Sequence, residues 1–368
     1  MRLLVVTHHF FAAGDGQGSA LYASQIDPLA RIAAVNAMLV SFHRHFGPRR
    51  HGKDHTKRLP GDETPERVLD IVILQVPGKG ILEHVGIDPS LYELEYWDGP
   101  AMQLGFETQR VLRERLGNYD YYAVVEDDMV IHDPLFFEKL GWFEQQFGTT
   151  RLLHPLRYEM AQSGTPALFS EWPHIPSDLL RSLGMRRDGQ PERLAAKWHG
   201  REQSFTLPTN PHIGGFFLSD AQLRHWASTE WLYDRDASFV GPLESAMCLA
   251  VGRAFDVYQP AAPDPFFLSI EHWGTRYARG NAPPGVNYDD TPLLGIAHRM
   301  LRAGSIVGGR TESIAALMST TERTLNVMIS ERDTLMNELN SLRRSRSKLF
   351  KALIKTSLTR LHHLRRGS

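Results

Sequence analysis

Cysteine is almost absent: Cys248 stands alone. No disulfide framework can form within the chain, and such usage suits a reducing compartment. Long apolar runs are absent too. No window reaches the length of a membrane-spanning helix, and the opening segment Met1-Arg-Leu-Leu-Val-Val-Thr-His-His-Phe10 is too briefly apolar for a signal peptide, so it reads as a first strand. An excess of either charge is also missing. Lys and Arg number 41 against 42 Asp and Glu, a formal net charge of -1, which gives no overall electrostatic case for nucleic acid. These absences predict a cytoplasmic chain. Its 368 residues suffice for one large α/β domain and an appendage.

The most informative stretch runs from Asn118 to Phe137. Tyr121 to Val125 is β-branched and aromatic, the composition of a buried strand. It ends in three consecutive carboxylates, Glu126, Asp127 and Asp128. Three acids at a buried strand end repel one another and lose hydration, so something cationic should meet them. Strand alternation points Glu126 and Asp128 one way and Asp127 the other. Two carboxylates on one face make a hard-oxygen site for Mg²⁺ or Mn²⁺, completed by substrate phosphates. The plainer alternative is an acidic strand end entering a solvated turn at Asp133-Pro134.

Around this stretch the pattern alternates. Leu3–Val6 reads as a strand, and His8–Gln25 as a glycine-containing loop without the spacing of a phosphate-binding motif. Leu29, Ile32, Ala33, Val35, Met38 and Leu39 recur at helical spacing. Arg31, near that helix's start, faces either a nucleotide or solvent. His43, His45, His51 and His55 fit no compact metal spacing and read as surface loop residues. Val68–Val76 is a second strand, turned by Pro77-Gly-Lys-Gly80, and Met102–Leu116 is a helix leading into the central strand. Strand–helix alternation predicts a parallel sheet with ligands at the strands' carboxyl ends.

Arg151–Phe205 lacks periodicity and reads as loops over the site, with a short helix near Ser177–Leu183. In Asn210-Pro-His-Ile-Gly-Gly-Phe-Phe-Leu-Ser219, Gly214 and Gly215 permit close backbone approach before a strand. Ala221–Ser228 is a helix. Gly241-Pro-Leu-Glu244 opens another that runs through Val251, with Glu244 in the dipole-favoured first turn, a position where an acid is usually structural and by itself is weak evidence of catalysis. Phe255–Tyr258 and Phe266–Ile270 read as short strands, the latter delivering Glu271-His272 into the loop Thr275–Asp290.

The order of these parts (opening strand, Tyr-Tyr-x-Val-Val-Glu-Asp-Asp, Gly-Gly-Phe-Phe, helix-start Glu244, late His272) resembles the nucleotide-sugar-dependent glycosyltransferases of the GT-A fold, bacterial surface-polysaccharide type, over about residues 1–300. That resemblance implies a GT-A-like α/β domain: a Rossmann-like mixed, mostly parallel sheet flanked by helices. It implies a Mn²⁺ or Mg²⁺ held by Asp128, Glu126 and His272, and a nucleotide-diphosphate sugar donor met by Glu126, Asp127, Arg31, Thr7, Gly214 and Gly215. It also implies Glu244 as general base of an inverting transfer to a glycan or lipid-linked glycan acceptor. Two departures stand out: the motif is Glu-Asp-Asp rather than Asp-x-Asp, and Glu244 is followed by Ser245 rather than preceded by an acid.

Residues 301–368 form a separate tail. Leu325, Met328, Leu335, Leu339, Leu342, Leu349 and Leu353 sit at heptad positions, broken by Arg332 and Arg346, so 311–345 reads as a coiled coil joining copies, or as a docking helix. From Arg343 to Arg366 there are nine Lys or Arg and no acid. With Leu349, Phe350, Leu353, Ile354, Leu358 and Leu361 on one face, this predicts a basic amphipathic helix on an anionic bilayer, at the inner face of the cytoplasmic membrane. A solvated or nucleic-acid-binding tail is the alternative. Two rival functions are a sugar-phosphate nucleotidyltransferase and a scaffold with a vestigial nucleotide-sugar domain. The basic phosphate loop of the former is missing, since His8–Gln25 has no Lys or Arg.

Overall fold

The computed structural model describes residues 1–12, 28–48, 68–161, 164–168, 175–239 and 241–274. The chain divides into Met1–Leu293 and Leu294–Ser368. All described residues belong to the first unit, and the expected tail, the domain boundary near residue 300, His51 and His55 lie outside them.

The chain opens with β1 (Arg2–His9), α1 (Pro28–Phe46), β2 (Val68–Gln75), β3 (Glu93–Tyr96), α2 (Leu104–Glu114), β4 (Tyr121–Glu126), β5 (Met129–Val130) and α3 (Phe136–Phe147). It continues with β6 (Arg151–Leu153), β7 (Leu156–Met160), β8 (Pro166–Leu168), α4 (Ser177–Ser182), β9 (Arg193–Trp198), β10 (Arg201–Thr206), β11 (Gly215–Ser219) and α5 (Asp220–Ala227). Last come α6 (Pro242–Glu244), a π-helical turn at Ser245–Leu249, α7 (Ala250–Ala254), β12 (Asp256–Pro260) and β13 (Ser269–His272).

The central sheet has the order β11-β4-β1-β2-β3. Every pairing in it is parallel except β11 against β4. This is the mixed, mostly parallel α/β sheet flanked by helices that the sequence predicts. β1, β4 and β11 are apolar on both faces because both are covered, whereas the edge strand β3 is polar and partly exposed. Leu3 and Val5 meet Val35, Met38, Leu39 and Phe42 of α1 on one face. Leu4 and Val6 meet Leu104, Val111 and Leu112 of α2 on the other.

The start of β4 is fixed by a single hydroxyl. Tyr122 Oη accepts the amides of Gly117, Asn118 and Tyr119 at 2.8, 3.1 and 3.2 Å, gathering the turn out of α2. At its other end β4 is covered by β11, where a Cβ on Gly215 would lie 2.2 Å from the Val124 carbonyl oxygen. Only glycine allows that approach.

The described residues also hold two smaller sheets, β6-β12-β10-β9 and β5-β13-β7-β8. They correct several expectations. The segment 151–205 is not a set of loops but β6 to β10; its strands are short and half exposed, so their periodicity is weak. His8 and His9 belong to β1 rather than to a loop. His43 and His45 lie in the last turn of α1, where His43 Nε2 meets the Leu91 carbonyl at 3.1 Å. The helix after Gly241 is interrupted by the π turn, and the late strand is Ser269–His272, so His272 does not enter a loop.

Several buried histidines tie stability to pH, His154 among them. His154 is enclosed between these sheets with Nδ1 3.0 Å from the Pro211 carbonyl, and burial lowers its pKa to about 4. Below about pH 6.5 the unfolded chain takes up a proton that the folded imidazole refuses until near pH 4. That stability is complete above pH 6.5 and is lost as pH falls to about 4. Melting temperature should therefore drop across this window, and His154→Asn should flatten the slope; an unchanged slope would remove His154 from the cause.

Candidate functional site

The acidic turn sits at the carboxyl edge of the central sheet, and two ladders bring its partners to it. β4 ends at Glu126; after Asp127 and Asp128 the chain enters β5 at once. β5 pairs antiparallel with β13, matching Met129 with His272 and Val130 with Glu271, and the Trp273 amide donates to the Asp128 carbonyl at 2.8 Å. His272 is thereby delivered beside the acids. One ligand atom from each of Glu126, Asp128 and His272 falls within 4.8 Å of the others. These are the three residues that the resemblance implied as metal ligands.

The cation demanded by three adjacent acids is Arg31. It is 9% exposed, so it is no solvated helix arginine. Its Nη2 donates to Asp127 Oδ1, and its Nη1 to Asp128 Oδ2 at 3.1 Å. Asp127 turns to the α1 side of the sheet, where His9 Nδ1 lies 2.5 Å from its Oδ2. The Ile81 amide donates to His9 Nε2 at 3.1 Å, so that nitrogen is the acceptor and Nδ1–H is the donor to Asp127. Burial would raise the Asp127 pKa, but the Arg31 guanidinium and the His9 hydrogen bond hold it at about 2. Asp127 is committed to this buried pairing, not to the cluster on the other side.

Asp128 is divided. Oδ2 faces Arg31 and, at 3.6 Å, His272 Nε2, while Oδ1 is buried without a hydrogen-bond partner among the described residues. An orphaned buried carboxylate oxygen costs free energy unless something fills the site. Two carboxylates and an imidazole are a ligand set for a divalent cation. The residues present fit such an ion. His272 Nδ1 lies 2.8 Å from Glu159 Oε1; burial opposes its protonation, but Asp128 and Glu159 together raise its pKa.

Glu126 has its own cradle. Its amide donates to the Gly214 carbonyl at 2.8 Å. Gly214 holds φ +73, and a Cβ there would lie 2.6 Å from Glu126 Oε2. Arg157 Nη1 is 3.8 Å from Oε2 and His212 Nε2 4.0 Å from Oε1. Burial lowers the His212 pKa to about 3. The glycine pair thus serves strand pairing and the seating of Glu126. Thr7 is fully buried on β1, its Oγ1 without a partner among the described residues.

Glu244 stands apart from the cluster. It ends the single turn α6, close enough to Gly241 that a Cβ there would lie 2.6 Å from its Oε2. The π turn follows directly, its Ala246 carbonyl accepting from Gln109 Nε2 at 2.7 Å. π turns recur at functional sites. Among the described residues, the metal-competent group does not include Glu244.

Sequence reasoning missed His9, Arg157 and Glu159. Arg157-Tyr-Glu159 carries a readable signal, two charged residues at strand alternation on one face, hidden by the polar setting of β7.

No family model and no curated protein matches this sequence. Among solved structures the chain is similar to S. aureus TarS at 10% identity and a TM-score of 0.35, over 70% of this chain and 35% of that one. It spans little more than a third of that protein's length. Likeness of this degree bears on neither substrate nor mechanism.

Gly214→Ala tests the cradle. It should cost about 1–3 kcal/mol through strain and overpacking and weaken Mn²⁺ binding by displacing Glu126. Intact Mn²⁺ affinity by calorimetry would show that Glu126 needs no glycine beneath it.

Proposed function

We propose that the chain is a metal-dependent glycosyltransferase, moving a sugar from a nucleotide-diphosphate donor to a hydroxyl of a glycan or lipid-linked glycan. The observation that carries this reading is the convergence of Glu126, Asp128 and His272 at the carboxyl edge of a mostly parallel sheet, with Asp128 Oδ1 buried and without a hydrogen-bond partner among the described residues. Ligands of open α/β sheets bind at that edge.

A divalent cation held by these three residues would neutralise the charge that develops on the leaving diphosphate. The chain's own groups supply the rest. Arg31 offsets Asp127 and Asp128, so the site is not left with three uncompensated charges before donor arrives. Arg157, 4% exposed beside Glu126, adds a second fixed positive charge near the diphosphate. Glu244, partly exposed at a helix start, is the carboxylate assigned to take the acceptor's proton. With that role the transfer is a single inverting displacement and needs no covalent nucleophile.

The tail extends the proposal. Residues 343–366 would hold the enzyme on anionic lipid at the cytoplasmic membrane face, and 311–345 would pair two copies. Among the described residues no helix is long and apolar enough to cross a membrane. Co-sedimentation with anionic liposomes should be lost on deleting 343–368; equal sedimentation of both forms would remove the membrane role.

Screening nucleotide-sugars for hydrolysis with Mn²⁺ and with EDTA tests the central reading. One donor should turn over only with metal, Asp128→Asn should abolish turnover with the fold intact, and Glu244→Gln should slow transfer on the order of 10²-fold or more with donor binding kept. No binding of any nucleoside diphosphate with Mn²⁺ would favour the scaffold instead. A normal Glu244→Gln rate would reduce Glu244 to a helix-start acid.

A further inference from the structure

We infer that Glu159 is a positioning residue for the cation site: it holds His272 as the Nδ1–H tautomer, so that Nε2 is the nitrogen presented to the ion. This rests on the metal reading above, not on the identity of the sugar.

Glu159 lies on β7 with 0% exposure, and β7 runs parallel to β13 in the same small sheet. Its Oε1 is 2.8 Å from His272 Nδ1. With Nδ1–H as the donor to that oxygen, Nε2 keeps its lone pair for an ion. The Nε2–H tautomer would instead turn the Nδ1 lone pair toward a buried carboxyl oxygen and leave no lone pair facing Asp128. On the far side of the ring Nε2 lies 3.6 Å from Asp128 Oδ2, within the group of atoms that can close on one ion. Because β5, β13 and β7 are laddered together, the carboxylate, the imidazole and the acidic turn are fixed to one another through backbone. An anionic partner on the distal imidazole nitrogen both orients the ring and makes it a stronger ligand, and losing such a partner typically weakens metal binding 10–100-fold.

A purely structural role for the Glu159–His272 contact makes a different forecast. It would alter melting in metal-free buffer and leave metal affinity and tautomer untouched. Two measurements on the full chain separate the two. Titration with Mn²⁺, followed by the electron paramagnetic resonance of the free ion, should give a dissociation constant about 10–100-fold weaker for Glu159→Gln than for the wild type. Long-range ¹H–¹⁵N spectra of Mg²⁺-loaded wild-type protein should show His272 protonated at Nδ1 and bare at Nε2, a readout that stands even where the variant does not fold. Equal Mn²⁺ affinity in a folded Glu159→Gln, or a proton on Nε2 with metal bound, would overturn the assignment. A wild type that binds no Mn²⁺ would overturn the metal reading and this inference together. Donor turnover is a separate matter: its absence with Mn²⁺ binding intact bears on the transferase reading alone.

Discussion

The buried ion pairing of Arg31 with Asp127 and Asp128 is the interaction on which the rest depends. Three consecutive carboxylates at a strand end are tolerable only if their charge is compensated within a few ångströms, because water is largely excluded there. Arg31 reaches them from the first turns of α1, and the apolar stripe of that helix packs on the face of the sheet to which Asp127 turns. Removing one partner of such a buried pair costs about 3–5 kcal/mol, since the other charge is stranded. The same contact divides labour among the acids. Asp127 is spent on Arg31 and His9, while Asp128 keeps one oxygen, Oδ1, that no described group satisfies.

From that constraint the remaining geometry follows through backbone ladders. The short β5 leaves the acidic turn no freedom to splay, because β13 pairs with it and brings His272 across. β7 then places Glu159 behind His272. On the other side, the antiparallel β11 closes against β4 and puts Gly214 beneath Glu126. Each candidate ligand rests on a strand or the turn between two strands, so the three are held together without loops, the arrangement that best preserves coordination geometry.

Much of this was legible in the sequence, and the limits have physical causes. The apolar strands β1, β2 and β4 and the helices α1 and α2 are readable because both faces of the sheet are buried, leaving unmistakable runs. Glu126, Asp128 and His272 could be named because the first two share a strand face and the third matched a family's order of features. Arg31 stayed ambiguous: a helix-start arginine looks the same whether it faces solvent or a carboxylate pair. β7 went unread and β13 was set a few residues early, at Phe266–Ile270, because both are short strands whose pairing partners are distant in sequence, and no local period reports a ladder between them. Glu159 left only the alternation of Arg157-Tyr-Glu159, which the polar setting of β7 masks. Its meaning comes from His272, which only the fold brings near.

The most direct measurement is a crystal structure with Mn²⁺ and a nucleoside diphosphate, using anomalous scattering at the manganese edge. A single strong peak bonded to Asp128 Oδ1, a Glu126 oxygen and His272 Nε2, with Arg31 still on Asp128 Oδ2 and phosphate oxygens completing the shell, is the expected result. A diphosphate bound at this edge with no anomalous peak, or a peak held by Asp127 in place of Asp128, would contradict a metal-dependent site built on these residues.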